Sequence, residues 1–246
     1  MTEITFKKDA LLAAPKDEQH FFILAGHFLN ELATLARLVA WTAGYSSDNR
    51  VLATGGAANK VAVLNYTISK LFEGWKLVEK RFTSELRQKY LPKFNPTNAD
   101  SYAILVAYFV NKDRSRIEKV RNNLGFHNYD QFEMIYEAFC KVESPQFSVY
   151  MNEAPGLCLF DPSIQTMGFC LGKIVNEEQG NFDSSFKELM KEIREIAEHM
   201  QFLLFDYQCC FIAEYLDGNC EKTKLVLDHL PDQDSVQIPY FTNSWK

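Results

Sequence analysis

Three side chains that can act on a phosphodiester stand close together near the middle of the chain. Within the segment 119–129, the sequence places the guanidinium of Arg121, the carboxamide of Asn122 and the imidazole of His127. An imidazole titrates near neutrality and can take or give a proton, and a guanidinium can hold a phosphate through two parallel hydrogen bonds. The segment is therefore a candidate site for phosphate chemistry.

An apolar stripe in the same segment predicts a helix. At 100° per residue, one buried line is formed by Ile117, Val120 and Leu124. On a continuous helix, Arg121 and His127 would lie on either side of this line, about 120° apart and about 9 Å apart along the axis, and would not touch. We therefore expect either that the helix ends or bends near Gly125, or that a second chain completes the site.

Positive charge is concentrated just upstream, although the chain as a whole is acidic. The basic residues of this stretch are Lys112, Arg114, Arg116 and Lys119. On a helix they form two rows along which an RNA backbone could lie. The alternative is a solvated helix face whose charge is partly compensated by Asp113 and Glu118.

Long segments with apolar residues at alternating three- and four-residue steps predict the helices that position the site. These helices are expected at residues 16–43, 61–82 and 182–216, with shorter ones at 100–110, from Asp113 or Ser115, and at 131–142. Between the first two, residues 44–59 are predicted to be a loop, because they contain several glycine, serine and asparagine residues. Asp217-Gly218-Asn219 is a predicted stop for the last helix.

This pattern predicts an all-α fold, an up-and-down bundle of four to five main helices. We expect one domain over residues 1–246, with an irregular insertion at 144–179 that carries a β-hairpin and an irregular tail at 231–246. Proline and glycine residues between short β-prone runs distinguish the insertion from the helices around it.

Composition narrows the class of protein. The formal net charge of −6 excludes a generally basic protein that coats nucleic acid. We expect a cytoplasmic protein that does not enter a membrane, because no secretory signal is visible and no uncharged apolar run approaches roughly 18 residues.

The six cysteines form no CxxC pair, so we expect buried free thiols. No Glu-x-x-His pairs are present on two helices, so neither a metal nor another cofactor is expected.

The run Arg121-Asn122-Asn123-Leu124-Gly125-Phe126-His127 resembles the motif of the HEPN superfamily, an arginine followed four to six residues later by a histidine, commonly with a polar residue after the arginine. The predicted helical bundle resembles that family's fold as well. The resemblance implies a bundle of four or five helices, often dimeric, found in prokaryotic defence and toxin systems. Active members are metal-independent endoribonucleases.

Carried onto this sequence, the resemblance implies that Arg121 holds the scissile phosphate, that His127 transfers protons around the ribose 2′-hydroxyl, and that Asn122 orients one of them. It also implies a homodimer with an antitoxin or other protein partner. Two alternatives stay open. Arg121 could instead pair with Glu31 while His127 caps or packs a helix end, and the chain could be a non-catalytic module that binds a nucleotide or a protein.

Overall fold

The computed structural model describes residues 1–43, 48–110, 115–125, 132–143, 146–151, 158–175, 182–226, 231–232, 235–236 and 238. Helical turns take up 79% of them, and two short antiparallel sheets are also present in this part of the chain. The predicted all-α fold with a small β-hairpin insertion is confirmed. Most of the predicted irregular tail, 231–246, lies outside the described residues.

The α-helices of the described residues are α1 (Lys8–Leu12), α2 (Lys16–Ala43), α3 (Arg50–Arg81), α4 (Ser84–Tyr90), α5 (Ser101–Val110), α6 (Arg116–Val120), α7 (Phe132–Lys141), α8 (Asp161–Val175) and α9 (Phe182–Phe211). The strands are β1 (Thr2–Phe6), β2 (Val149–Tyr150), β3 (Leu159–Phe160) and β4 (Cys220–Lys224). Most helices predicted from apolar spacing therefore exist with bounds close to those expected.

The chain divides into two compact units. The first unit consists of Met1–Ala33, Leu71–Arg114 and Glu195–Pro231, and the second consists of Thr34–Lys70, Ser115–Arg194 and Asp232–Lys246. Three long helices, α2, α3 and α9, contribute residues to both units. Each unit is thus assembled from separate stretches of sequence, and the single domain over 1–246 stays a prediction.

Helix α2 has the bounds that its apolar spacing predicted. In the first unit its buried apolar residues are Phe21, Ala25, Phe28 and Leu32. They recur at steps of three and four, so they share one face of the helix. This is the helical period from which the helix was predicted.

The core of the first unit is aromatic. Between ring centroids, Phe21 lies 5.3 Å from Phe82 and 4.6 Å from Tyr207 of α9, while Tyr90 of α4 lies 4.9 Å from Tyr207. All four rings are buried. Ring pairs of this kind add about 0.5–1.5 kcal/mol each to the stabilisation from burial. The end of α9 is therefore held against the start of α2 and the end of α4.

A two-stranded sheet in the first unit was not predicted. β1 and β4 are antiparallel, with Thr2 opposite Lys224 and Phe6 opposite Cys220. Before β4, the chain leaves α9 through a π-helical turn, Ile212–Leu216, and a 3₁₀ turn, Asp217–Asn219, so the predicted stop for α9 is confirmed. Both strands are mostly exposed. They do not alternate buried apolar residues with exposed polar ones, which is the pattern from which a strand can be predicted.

The loop predicted at residues 44–59 is wrong over its second half, because α3 begins at Arg50. The side chain of Asn49 accepts hydrogen bonds from the backbone N–H groups of Val51 and Leu52, at 3.0 and 3.3 Å, and so caps the helix. Gly55 and Gly56 are buried within α3. They favour a loop by intrinsic propensity, and tertiary packing overrides that preference.

The insertion at 144–179 is also more regular than predicted. The hairpin is present, with Val149 opposite Phe160, but Asp161–Val175 forms the 15-residue helix α8. Pro162 lies in the first turn, where a missing N–H costs nothing. The carboxylate of Asp161 accepts a hydrogen bond from Gln165 at 2.9 Å. Pro162 therefore lies at the start of a helix, whereas its presence in the sequence predicted a loop.

Among the residues that the structure describes, one helical stretch, Lys16–Thr42 within α2, is long and apolar enough to cross a membrane. This is weak support for a span, because the core helix of a globular protein passes the same test. Only 17% of its most apolar window is buried, although Phe21 and Leu32 on this helix lie in the core of the first unit.

Candidate functional site

The candidate motif begins on α6, in the second unit. Ser115 caps this helix by accepting a hydrogen bond from the backbone N–H of Glu118 at 3.2 Å, as predicted for one of the two possible caps. Ile117 and Val120 are fully buried, so two of the three residues of the predicted stripe are confirmed. The side chain of Leu124 is not among those described.

The helix changes type at Arg121. α6 ends at Val120, and Arg121–Gly125 forms a π-helical turn, in which each ring closed by a backbone hydrogen bond holds one residue more than in an α-helix. The side-chain amide of Asn123 donates to the carbonyl oxygen of Lys119 at 2.7 Å across this turn. The angle and spacing worked out for a continuous α-helix therefore do not apply. π turns of this kind are frequent at functional sites.

The guanidinium of Arg121 is bonded to its neighbour. Its Nη1 donates to the Oδ1 of Asn122 at 3.0 Å. Arg121 is half-buried beside the fully buried Val120, and Asn122 is exposed. A side chain with its base in the protein and its charged plane fixed by a carboxamide loses less conformational freedom when it binds an anion. The resemblance implies that Asn122 orients a catalytic neighbour, and this role stays a prediction.

The other predicted catalytic residue, His127, lies outside the described residues, as do Lys112 and Arg114 of the predicted RNA-binding row. Their roles stay predictions. The glutamate named as an alternative partner for Arg121, Glu31, lies 3.4 Å from His27 on the same helix, measured from Oε2 to Nε2.

Of the basic row, Arg116 and Lys119 are described. The Nη1 atom of Arg116 lies 3.4 Å from a carboxylate oxygen of Glu188 and 3.4 Å from one of Glu192, both on α9. Two carboxylates therefore compensate the charge of Arg116 and hold α6 to α9 within the second unit. Lys119 is half-buried. Whether either cation contacts RNA stays a prediction.

Helix α8 supports the motif from a part of the chain that was expected to be irregular. It packs against α6, against the π turn Arg121–Gly125, against α7 and against the hairpin strand β2. Lys173 of α8 is bonded to Glu137 of α7 at 2.7 Å, and this hydrogen bond lowers the pKa of the Glu137 carboxyl. The predicted insertion is thus a structural neighbour of the candidate site.

An apolar pocket of 340 Å³ lies between α7 and α8. Its walls include Ile135, Tyr136 and Phe139 from α7 and Ser163, Thr166 and Met167 from α8. Its volume is in the range of small-molecule sites. Sequence reasoning could not find it, because half of its wall comes from a helix that was not predicted.

A partly buried polar cluster in the first unit joins Glu18 and Tyr90, which are buried, to Lys89 and Glu214, which are reached by solvent. The Nζ of Lys89 donates to the two carboxylate oxygens of Glu18, at 2.8 and 2.9 Å, and lies 2.7 Å from an oxygen of Glu214. Tyr90 also donates to Glu18 through its hydroxyl. Burial opposes the charge on Lys89, but its hydrogen bonds with Glu18, Glu214 and Tyr215 outweigh burial and raise its pKa.

This cluster has the properties of a structural clamp. Lys89 stays cationic, so it cannot act as a neutral nucleophile, and Lys93 adds a second cation 2.7 Å from Glu214. Burial raises the pKa of Tyr90, which keeps that hydroxyl a donor. Two carboxylates and two ammonium groups balance in charge. No spacing in the sequence could have indicated the cluster, because its members come from distant segments.

Within the described ranges, no three His, Cys, Asp or Glu side chains lie close enough together to hold a metal ion. The expectation that the cysteines are buried is wrong for Cys140 and Cys209, which are exposed, while Cys170 is buried and burial raises the pKa of its thiol.

Comparison of the chain with protein-family models, with curated proteins and with solved structures gave no match.

Proposed function

We propose that this chain is a HEPN-like, metal-independent endoribonuclease with Arg121, Asn122 and His127 as its active residues. The observation that carries the proposal is the hydrogen bond, 3.0 Å long, from the guanidinium of Arg121 to Asn122 within a π turn. It presents a fixed, half-buried cation six residues before an imidazole. A guanidinium is a planar fork of N–H donors that can hold a phosphate through two parallel hydrogen bonds.

The proposed reaction needs no group from outside the chain and the RNA. The ribose 2′-oxygen attacks the adjacent phosphorus, and the bond from phosphorus to the 5′-oxygen of the next nucleotide breaks. His127 takes the proton of the 2′-hydroxyl, and the leaving 5′-oxygen receives a proton from the imidazolium or from water. The products are a 2′,3′-cyclic phosphate and a 5′-hydroxyl. Arg121 stabilises the negative charge that grows on the phosphate oxygens.

The surrounding protein supports such a site. The fully buried residues Ile117 and Val120 anchor the helix that precedes Arg121. Helix α8, which comes later in the chain, packs against the π turn that contains Arg121. A catalytic group held on rigid elements keeps its geometry better than one on a free loop. The proposal further assigns the chain to the cytoplasm, as a dimeric, toxin-like effector of a prokaryotic defence system with an antitoxin or another protein as partner.

The alternative function is a non-catalytic module that binds a nucleotide or a protein. The apolar pocket between α7 and α8 favours it, because that pocket could bind a ligand without any chemistry at Arg121.

The test compares RNA cleavage by the purified protein in the presence of a chelator with cleavage by Arg121→Ala and His127→Ala variants. We expect wild type to cleave and each variant to lose about 10²–10³-fold in rate, the effect of removing one group that stabilises charge in a transition state. Arg37→Ala is the matched control, because Arg37 is exposed on α2 and bonds to Thr34 at 3.3 Å. Equal cleavage by all four proteins, or none by wild type, would overturn the proposal.

A further inference from the structure

The pocket between α7 and α8 has the chemistry of a site for a flat, apolar-faced ligand. Two aromatic rings on α7 line it, Tyr136 with 56% of its surface exposed and Phe139 with 42%. The ring of Phe139 stacks on that of Phe147, with the ring centroids 5.4 Å apart and the ring planes at 24°. A ring braced in this way is already held when a ligand arrives, which lowers the entropy cost of binding.

Few polar groups reach the pocket. On its α8 side, the hydroxyl of Thr166 donates to the carbonyl oxygen of Pro162 at 2.7 Å, so it can offer a ligand only an acceptor. Ser163 supplies a further hydroxyl. The lining residues carry two aromatic rings and three hydroxyls, those of Tyr136, Ser163 and Thr166. Such a pocket suits a ligand that is bound through its flat faces more than one recognised by hydrogen bonds along its edges.

The pocket is connected to the candidate catalytic turn through α8. This helix forms one wall of the pocket and also packs against α6 and the π turn that carries Arg121. All of these elements belong to the second unit. A polymer held at Arg121 by one of its phosphates therefore has a neighbouring surface in the same group of helices.

Charge around the pocket decides how such a polymer could lie. Glu137 on α7 is neutralised by Lys173, but Glu133 on α7 is exposed. A phosphate backbone would be repelled along α7, whereas an uncharged base would not. This charge favours the backbone on the side of Arg121 and an uncharged base at the pocket.

We propose that the pocket between α7 and α8 receives an unstacked nucleobase of single-stranded RNA, stacked on Tyr136 and Phe139. The inference rests on the proposed function, because that function supplies the RNA. Every base has a flat aromatic face, so stacking tolerates sequence. The pocket therefore adds affinity and places the strand without selecting one base.

The test measures binding of a labelled, single-stranded 2′-O-methyl oligonucleotide, which cannot be cleaved, so binding is observed without catalysis. We expect Tyr136→Leu and Phe139→Leu each to weaken binding about 5- to 150-fold, the range found when an aromatic partner of one base is removed. Phe160→Leu is the matched control, because Phe160 is 52% exposed and lies on β3, outside the pocket wall. We expect this variant to bind as wild type does.

With the oligonucleotide, any of three results would overturn the inference: no binding by wild type, equal binding by wild type and both pocket variants, or an equal loss in Phe160→Leu. Adenosine and uridine monophosphates form a second arm. Binding of either at least as tightly as the oligonucleotide would identify a free nucleotide, and not RNA, as the occupant. A 5-iodouridine oligonucleotide crosslinked to wild-type protein gives a readout without substitution, and the expected crosslink is on Tyr136 or Phe139.

Failure of this inference can be told apart from failure of the proposed function. If cleavage depends on Arg121 but binding ignores the pocket variants, the ribonuclease proposal stands and the base site is wrong. If binding depends on the pocket but wild type cleaves no RNA, the base site stands and catalysis at Arg121 is wrong.

Discussion

A methyl group added at Gly74 is expected to destabilise the first unit. Gly74 lies buried within α3, and a Cβ atom built on it would overlap the Cζ and Cε2 atoms of the Phe28 ring on α2. Phe28 is itself buried, with 3% of its surface exposed, so its ring has little room to move aside. The absence of a side chain at Gly74 is what allows this close approach.

The magnitude follows from two opposing effects. Overpacking of a well-packed core costs about 1–3 kcal/mol. Replacing glycine by alanine within a helix returns about 0.8–1.0 kcal/mol through helix propensity. Gly74→Ala is therefore expected to lower the free energy of unfolding by up to about 2 kcal/mol.

Gly26 provides a matched control on α2. A Cβ atom built there would lie 3.8 and 3.9 Å from the amide atoms of Gln208, which is ordinary van der Waals contact. Gly26→Ala should therefore keep the gain in helix propensity and raise the free energy of unfolding by about 0.5–1 kcal/mol. The difference between the two variants isolates the clash with Phe28.

Urea denaturation followed by circular dichroism measures both changes. A second variant, Phe28→Leu, removes the ring atoms that Gly74→Ala would strike, so combining the two should cost less than the sum of the single effects, by about 0.5–3 kcal/mol. The packing argument is refuted if Gly74→Ala is as stable as Gly26→Ala, or if the two substitutions at the contact are simply additive.

Two further predictions concern the polar cluster of the first unit. Lys89→Met leaves the carboxylate of Glu18, whose side chain is 9% exposed, without its ammonium partner, so we expect the free energy of unfolding in urea denaturation to fall by about 3 kcal/mol. Lys222→Met, which removes an exposed ion pair with Asp217, should change the free energy of unfolding little. Equal denaturation midpoints for the two variants would contradict the structural role of Lys89. Burial opposes ionisation of Glu214, but hydrogen bonds from Lys89 and Lys93 outweigh it and lower its pKa. A lowered pKa in the folded state stabilises the protein above the unfolded pKa, and this contribution is lost as pH falls through the folded value. The stability difference between wild type and Glu214→Gln should therefore shrink as pH falls from 7 to 3, and a constant difference would argue against the pairing.

Apolar spacing predicted the long helices because burial on one face repeats with the helix period. The buried residues Phe21, Ala25, Phe28 and Leu32 of α2 follow that period, so sequence alone predicted the bounds of the helix. The same holds for the cap at Ser115, whose chemistry is local.

The features that sequence reasoning missed depend on distant partners. The start of α3 contains Gly55 and Gly56, which favour a loop until packing buries them. β1 and β4 are paired although more than two hundred residues separate them, with the amino group of Met1 bonded to the carbonyl oxygen of Leu225 at 3.0 Å. The clamp between Glu18 and Lys89 likewise joins residues 71 positions apart.

The candidate site was predictable in its residues and only partly in its geometry. The types and order of Arg121, Asn122 and His127 indicated phosphate chemistry. The π turn was not indicated, because a helix that widens by one residue per turn has no distinct spacing in a single sequence. The support from α8 was missed because Pro162, Gly168 and Gly172 suggested a loop.

The central claim is tested most directly by the initial rate at which wild-type protein and Arg121→Ala cleave one end-labelled RNA oligonucleotide in excess chelator. We predict that wild type produces fragments ending in a 2′,3′-cyclic phosphate and that Arg121→Ala, folded by circular dichroism, is at least about 10²-fold slower. Wild-type and Arg121→Ala rates that agree, or an RNA that stays intact with both proteins, would contradict the assignment of catalysis to Arg121.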